Sequence, residues 1–220
     1  MGVDVTESAS STAPRAPRTM SRDKRRAQLI ESTISTLAAR GYSRTTLTEV
    51  ARTAGLSHGL VLFHFETKEK LLSETLAFLA EEYLQNWQTA LAGAGQSPAE
   101  QLNAMIEADF HPAVCQPSRL AAWCSFWGEA QSRPLYQDSC GAKDDAYNRT
   151  LEGICARLSD AGSYNRDPVR VARIIRVTIE GVWLDMMTMA KPYSREDALA
   201  TARTCVSLCF SDHFTPDGLK

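Results

Sequence analysis

Between Thr46 and Lys68 the chain reads Thr-Leu-Thr-Glu-Val-Ala-Arg-Thr-Ala-Gly-Leu-Ser-His-Gly-Leu-Val-Leu-Phe-His-Phe-Glu-Thr-Lys, an order that few folds accommodate. Thr46 and Glu49 have the spacing of a capping box, Gly55 ends the short helix they open, Ser57 caps the next, and Thr67 caps another almost at once. Two short helices around a glycine turn, followed directly by a long one, form a helix-turn-helix, which lays its second helix in the DNA major groove. Apolar residues at 47, 50, 51, 54, 56, 61 and 65 close a three-helix core. Thr46, Ser57, His58, Gly59, Leu60, His64 and Lys68 are left near the expected DNA face. Gly59 has no side chain and lets the backbone approach the groove. His58 and Leu60 are placed to touch base edges or a thymine methyl. Thr46, His64 and Lys68 suit phosphates better. The plain alternative is a three-helix bundle with no role on DNA. Turn chemistry, spacing and local basicity together argue against it.

Charge supports the same division. Residues 15 to 70 hold 11 Lys/Arg against 5 Asp/Glu, while residues 71 to 220 hold 13 against 19. The net charge of −2 therefore hides a basic head on an acidic body. The head suits a phosphate backbone, and the body limits nonspecific coating of DNA.

Helical signals dominate after residue 20, without a convincing alternating strand. Ser21 caps a first helix to about Arg40, with Gly41 as its stop. The helix after Thr67 continues to about Ala92, some 37 Å. Gly93-Ala-Gly95 breaks it, and Ser97-Pro98-Ala-Glu100 starts the next. Later helices are expected over about 118–130, 134–160, 168–190 and 195–211. The reading is an all-α protein of about nine helices: a disordered arm at 1–20, a helix-turn-helix domain at 21–66 and a larger helical ligand-binding and dimerisation domain at 67–220.

No run approaches the ~20 apolar residues of a membrane span, and no signal peptide is evident, so a cytoplasmic protein is expected. The four histidines show no ligand spacing with acids, and no nucleophile motif or phosphate-cradling loop occurs. An enzyme is not expected, nor a cofactor. Cys205, Cys209 and His213 share a helical face, better read as packing than as a metal site.

In the body, Ala122-Trp-Cys-Ser-Phe-Trp127 places Trp123, Phe126 and Trp127 within one 100° arc of a helix. In Glu180-Gly-Val-Trp183-Leu-Asp-Met-Met187, Glu180, Trp183 and Met187 share a face and Asp185 points away. Aromatic faces attract a cation that cannot donate hydrogen bonds, and a nearby carboxylate adds direction. Glu180 is the favoured carboxylate, with Glu129 and Asp109 as lesser candidates. Tyr136 is either a cage wall or a surface residue. The bland alternative makes these tryptophans ordinary core.

The stretch from Gly41-Tyr42 through Thr46, Glu49-Val-Ala51, Ala54-Gly55-Leu-Ser57, Gly59, Phe63-His-Phe65 and Lys68-Glu-Lys-Leu-Leu72 resembles the N-terminal domain of TetR-family repressors. The resemblance implies an all-helical homodimer that binds a palindromic operator in double-stranded DNA and releases it when a small inducer occupies the C-terminal domain. Lys68 matches the family's phosphate-binding lysine. At His64 the chain departs from the usual phosphate-contacting tyrosine; an imidazole still donates, and would make the contact pH-sensitive. The body is similar to the choline-responsive BetI repressors of glycine-betaine synthesis, in Ala122-Trp-x-x-Phe-Trp127, Pro134-Leu-Tyr136 and the acid-Gly-x-Trp-Leu of Glu180 to Leu184. It departs from them at Asp185, where a base is usual. That resemblance implies a choline-like quaternary ammonium inducer held by Trp123, Phe126, Trp127, Tyr136, Glu180 and Trp183. The alternative is a repressor sensing an unrelated apolar or aromatic ligand. An enzyme or adaptor without DNA binding is a third reading.

The last two helices are expected to pair with their twins in a four-helix interface. Val171, Ile174, Ile175, Thr178, Ala198, Ala202, Cys205 and Val206 are the candidate contacts, with intrachain core the alternative for each.

Overall fold

The computed structural model describes residues 21–129, 133–162 and 164–220. The expected arm at 1–20 lies outside them. Nine helices make up the described residues: α1 (Arg22–Arg40), α2 (Leu47–Ala54), α3 (His58–Phe65), α4 (Lys68–Ala92), α5 (Pro98–Asp109), α6 (Pro117–Trp127), α7 (Arg133–Ala161), α8 (Pro168–Thr188) and α9 (Arg195–Cys209). The sequence reading had no sheet. The structure adds a small hairpin after α9, β1 (Phe214–Thr215) with β2 (Gly218–Leu219), too short to show an alternating pattern.

Local chemistry accounts for most boundaries. The side chains of Ser21, Thr46, Ser57, Thr67, Ser97 and Ser194 each accept from a backbone N–H in the first turn of the helix they precede. Ser97 and Glu100 form a complete reciprocal box. At Thr46 half of that device is in place, because the Glu49 carboxylate pairs with Arg40 and Arg52 instead. Gly55 ends α2 at φ 67°, a left-handed conformation that favours glycine.

Two apolar clusters organise the chain. One is built on Leu29, Ile34, Leu37, Val50, Val61 and Phe65 of α1–α3; it runs on through Leu71–Ala80 of α4 and takes in Ala122, Phe126 and Cys140. The other joins α5, α7, α8 and α9 around Leu102, Met105, Leu151, Ile175 and Val206, with Trp87 of α4 inside it. Helix α4 thus serves both.

Of the candidate dimer contacts, Val171, Ile175, Ala198, Ala202 and Val206 face the chain's own core. Ile174 is exposed, as are Val177 and Leu184 of α8 and Leu208 of α9. Cys209 is buried, and the His213 ring meets the Tyr164 hydroxyl at 3.0 Å. Among the described residues no group of three His, Cys, Asp or Glu could hold a metal, and no helix is long and apolar enough to cross a membrane.

Candidate functional site

In the head, Thr46, Ser57, His58 and Gly59 are exposed, and Leu60 and Lys68 half-buried. Nothing lies within 4 Å of where a Gly59 Cβ would be, so the start of α3 is open for close approach. Lys68 crosses back over the Tyr42 ring at 5.5 Å, and its ammonium lies 3.4 Å from the Tyr42 carbonyl.

His64 is placed differently from the sequence expectation. Its side chain is turned inward, 5 % exposed, with Nδ1 buried and without a hydrogen-bond partner. The reason is packing: Phe63 takes the outward position at 67 % exposure, and the imidazole stands edge-on to its ring. Burial lowers the imidazole pKa, and the guanidinium groups of Arg26, Arg22 and Arg25 lower it further. Arg26 secures this end of the recognition helix. It donates to the His64 carbonyl at 2.6 Å, pairs with Glu74 of α4 and lies 4.5 Å from the centre of the Phe65 ring.

In the body, a cavity of about 140 Å³ opens between α4, α6, α7 and α8. Tyr83, Trp123, Trp127, Tyr136, Tyr147 and Trp183 line it, together with Asp144, Asn148, Arg176, Ile179 and Glu180. Trp123 and Trp127 stack with centroids 6.0 Å apart, and Tyr136 stands at 6.4 Å from Trp123. Across the space, Tyr83 meets Trp183 edge-on at 5.8 Å. Tyr136 donates to Asp144 at 3.1 Å, and Arg176 donates to Glu180 at 2.6 Å. Burial raises the pKa of both Asp144 and Tyr136. Two carboxyl groups and one guanidinium thus share this wall.

The sequence reading put Phe126 in the cage; the structure puts it elsewhere. Phe126 is 1 % exposed and packs edge-on against Tyr42 of the head at 5.8 Å. A 100° arc is wide enough to straddle two environments, so Trp123 and Trp127 face the cavity while Phe126 faces Tyr42, in the loop after α1. Asp185 lies off the lining and accepts from Tyr193 at 3.4 Å.

The model of bacterial regulatory proteins of the tetR family matches residues 29–75, and that of the BetI-type transcriptional repressor C-terminal domain matches residues 98–211. This chain is a BetI-type repressor of the TetR family. A BetI transcriptional regulator from Paraburkholderia xenovorans is 28% identical over 192 residues, which cover 87% of this chain and 96% of that one. Its counterpart from Pectobacterium carotovorum is 26% identical, covering 81% and 90%. Two solved structures share the fold. A transcriptional regulator from Pseudomonas aeruginosa has a TM-score of 0.74 at 22% identity, covering 88% of this chain and 93% of its own. Another, from Saccharomonospora viridis, was solved in complex with choline; it has a TM-score of 0.74 at 18% identity, covering 84% and 96%.

For this BetI-type repressor, sequence reasoning missed Tyr83, Asp144, Tyr147, Asn148 and Arg176 in the lining. Tyr83 and Tyr147 sit on long helices amid ordinary amphipathic patterns, so no local signal distinguishes them from core. Trp87 packs edge-on against Tyr147 at 5.7 Å.

Proposed function

We propose that this TetR-family repressor binds a palindromic operator as a homodimer and leaves it when a choline-like quaternary ammonium ion fills the aromatic cavity, with genes of glycine-betaine synthesis or choline uptake under its control. The observation that carries the ligand is the cavity itself: six aromatic side chains around about 140 Å³, with Asp144 and Glu180 in the wall. A void of that order suits a compact ligand of about seven heavy atoms. Each ring offers a cation about 0.5–2 kcal/mol, so three or four contacts support micromolar to millimolar affinity after association costs. The choline complex of the S. viridis protein, which shares the fold, agrees with this.

On DNA, His58, Gly59 and Leu60 take the base edges, and Thr46, Ser57 and Lys68 the phosphates. His64 supports the recognition helix from beneath, and exposed Phe63 joins the contact surface in its place. The dimer uses the apolar face of Ile174, Val177 and Leu184 on α8 and Leu208 on α9, all exposed in the single chain. Such a protein works in the cytoplasm and catalyses nothing.

Coupling runs through α6. Trp123 and Trp127 touch the cavity, while Phe126 touches Tyr42, and Arg119 clasps Glu31 of α1 at 2.7 and 2.8 Å and Glu82 of α4 at 3.1 Å. A ligand that prefers the conformer with altered head spacing shifts the population away from DNA.

A second reading has one observation behind it. A wider cleft of about 560 Å³ shares Tyr83 and Trp123 with that cavity and is lined by Leu79, Ala90, Ala113 and Val114 among others, which suits an apolar inducer. Fluorescence anisotropy on the protein's own upstream DNA, at fixed salt and with millimolar choline, separates the readings. Release by choline supports the cation; tight binding that choline leaves untouched returns the tryptophans to the core and favours the cleft.

A further inference from the structure

Asp109 ends α5 and is fully buried. Oδ1 accepts from the Tyr83 hydroxyl at 2.6 Å, and Oδ2 from the Tyr147 hydroxyl at 2.6 Å. Its main-chain carbonyl accepts from the Trp183 indole N–H at 3.2 Å. Three cage rings, contributed by α4, α7 and α8, are therefore tied to one residue of a fourth helix. That residue is not itself in the cavity lining.

Positioning alone would not call for a carboxylate. A neutral acceptor can hold two phenols without the desolvation cost of a buried charge. The charge adds something an amide cannot. A phenol donating to a carboxylate gains electron density in its ring, which deepens the negative face that a cation meets. In a low-dielectric wall, the field of the carboxylate also reaches the cavity with little screening.

We propose that Asp109 is the positioning residue that sets the charge selectivity of this cage. Without touching the ligand, it holds Tyr83, Tyr147 and Trp183 in place and makes their wall prefer a quaternary ammonium over a neutral molecule of the same shape. The inference rests on the cation reading of the cavity and says which buried group enforces it.

A pH dependence follows. Burial pushes the Asp109 carboxyl up to about 7, against the two phenolic hydrogen bonds that pull it down. The charged form predominates above that value, so cation affinity rises as pH climbs through it. The other groups facing Asp109 are Tyr83 on α4, Tyr147 on α7, Glu180 on α8 and the Cys115 thiol, which approaches the Asp109 carbonyl at 3.7 Å. Arg195, at the start of α9, donates to the neighbouring Phe110 carbonyl at 3.2 Å. Asp144 and Arg176 lie farther along the cavity wall. Since the Asp144 carboxyl is also raised, the pH step is assigned by comparing Asp109→Asn with the parent protein.

The test titrates the full chain, by tryptophan fluorescence or calorimetry, with choline and with 3,3-dimethylbutan-1-ol, which has carbon in place of nitrogen. Asp109→Asn, Tyr83→Phe and Tyr147→Phe are compared with the parent across about pH 5.5 to 8.5, with circular dichroism as the check on folding. Asp109→Asn is expected to weaken choline about tenfold, leave the alcohol within about twofold and flatten the pH profile. The two phenylalanine variants keep their rings and are expected to lose severalfold for choline alone. Equal weakening of both ligands, or selectivity retained in all three variants, overturns the assignment. A parent protein that binds neither ligand, or both alike, overturns the cation reading and this inference together, and does so before any substitution is made.

Discussion

His64 occupies a position that the chain's pattern alone assigns to the DNA face, yet its ring is inside. Its pH behaviour changes meaning accordingly. The folded pKa is below the ordinary 6.5, so the unfolded chain takes up the proton more readily than the folded one. Stability from the neutral ring is intact above that ordinary value and is lost as pH falls through the lower, folded value. Operator affinity measured by anisotropy is expected to fall, together with the melting temperature, as pH drops below about 6.5. A rise in affinity with no loss of thermal stability would instead restore the direct phosphate contact, because an imidazolium binds phosphate more tightly than a neutral ring. The residue scale is where sequence reading was weakest. Phe126 and His64 each sit beside a neighbour of similar character, and a shift of one position around a helix decides which of the two faces out.

Caps made the elements easy to read, since a serine or threonine before an apolar run is a local signal with a local cause. The ends of α1, α4 and α5 fell where Ser21, Gly41, Thr67, Ala92 and Ser97 indicated. Less legible was the joint between α3 and α4. Glu66 has φ 63° and ψ −52°, and the Thr67 N–H reaches the Phe65 carbonyl at 2.6 Å, forming a tight γ-turn on a residue with a side chain. Backbone in this region costs about 1–3 kcal/mol. Glu66→Gly is expected to raise stability by about 1 kcal/mol in urea denaturation, even after losing the exposed Glu66–Lys70 pair. A neutral or destabilising result would mean that the turn is unstrained. The lining of the cavity was legible on α6 and α8, where bulky aromatics cluster in sequence. On α4 and α7 it was hidden, because Tyr83 and Tyr147 become walls only once four helices meet.

At the level of the whole molecule, the proposed coupling of sensing to DNA reading passes through Arg119. Its side chain is 13 % exposed and paired with acids from two other helices, so it acts as a clasp between α6, α1 and α4. Arg119→Ala is expected to leave choline affinity within about twofold while cutting choline's effect on operator affinity about tenfold, a loss of coupling free energy near 1.4 kcal/mol. Matched anisotropy and calorimetry read the two quantities separately; unchanged coupling would move the route to the Phe126–Tyr42 contact. The basic head, the helix-turn-helix and the all-helical body were visible in the sequence because each rests on local pattern. The clasp between α6 and α1 was not, since Glu31 and Arg119 are 88 residues apart.

Helix α4 belongs to both apolar clusters, and this makes the two halves of the protein hard to exchange. No loop separates the head core from the body core; the join lies within a continuous helix between Ala80 and Trp87. A graft of this head onto another sensor must therefore keep helical phase. One residue inserted after Ala80 turns the body by about 100° and moves it by about 1.5 Å relative to the head. An insertion of seven residues, close to two whole turns, should be tolerated far better than one of two, and a reporter of operator occupancy across an insertion series would show that periodicity. In engineering terms, the protein is a shaft whose two tools share one keyway, and a new tool fits only at the matching angle.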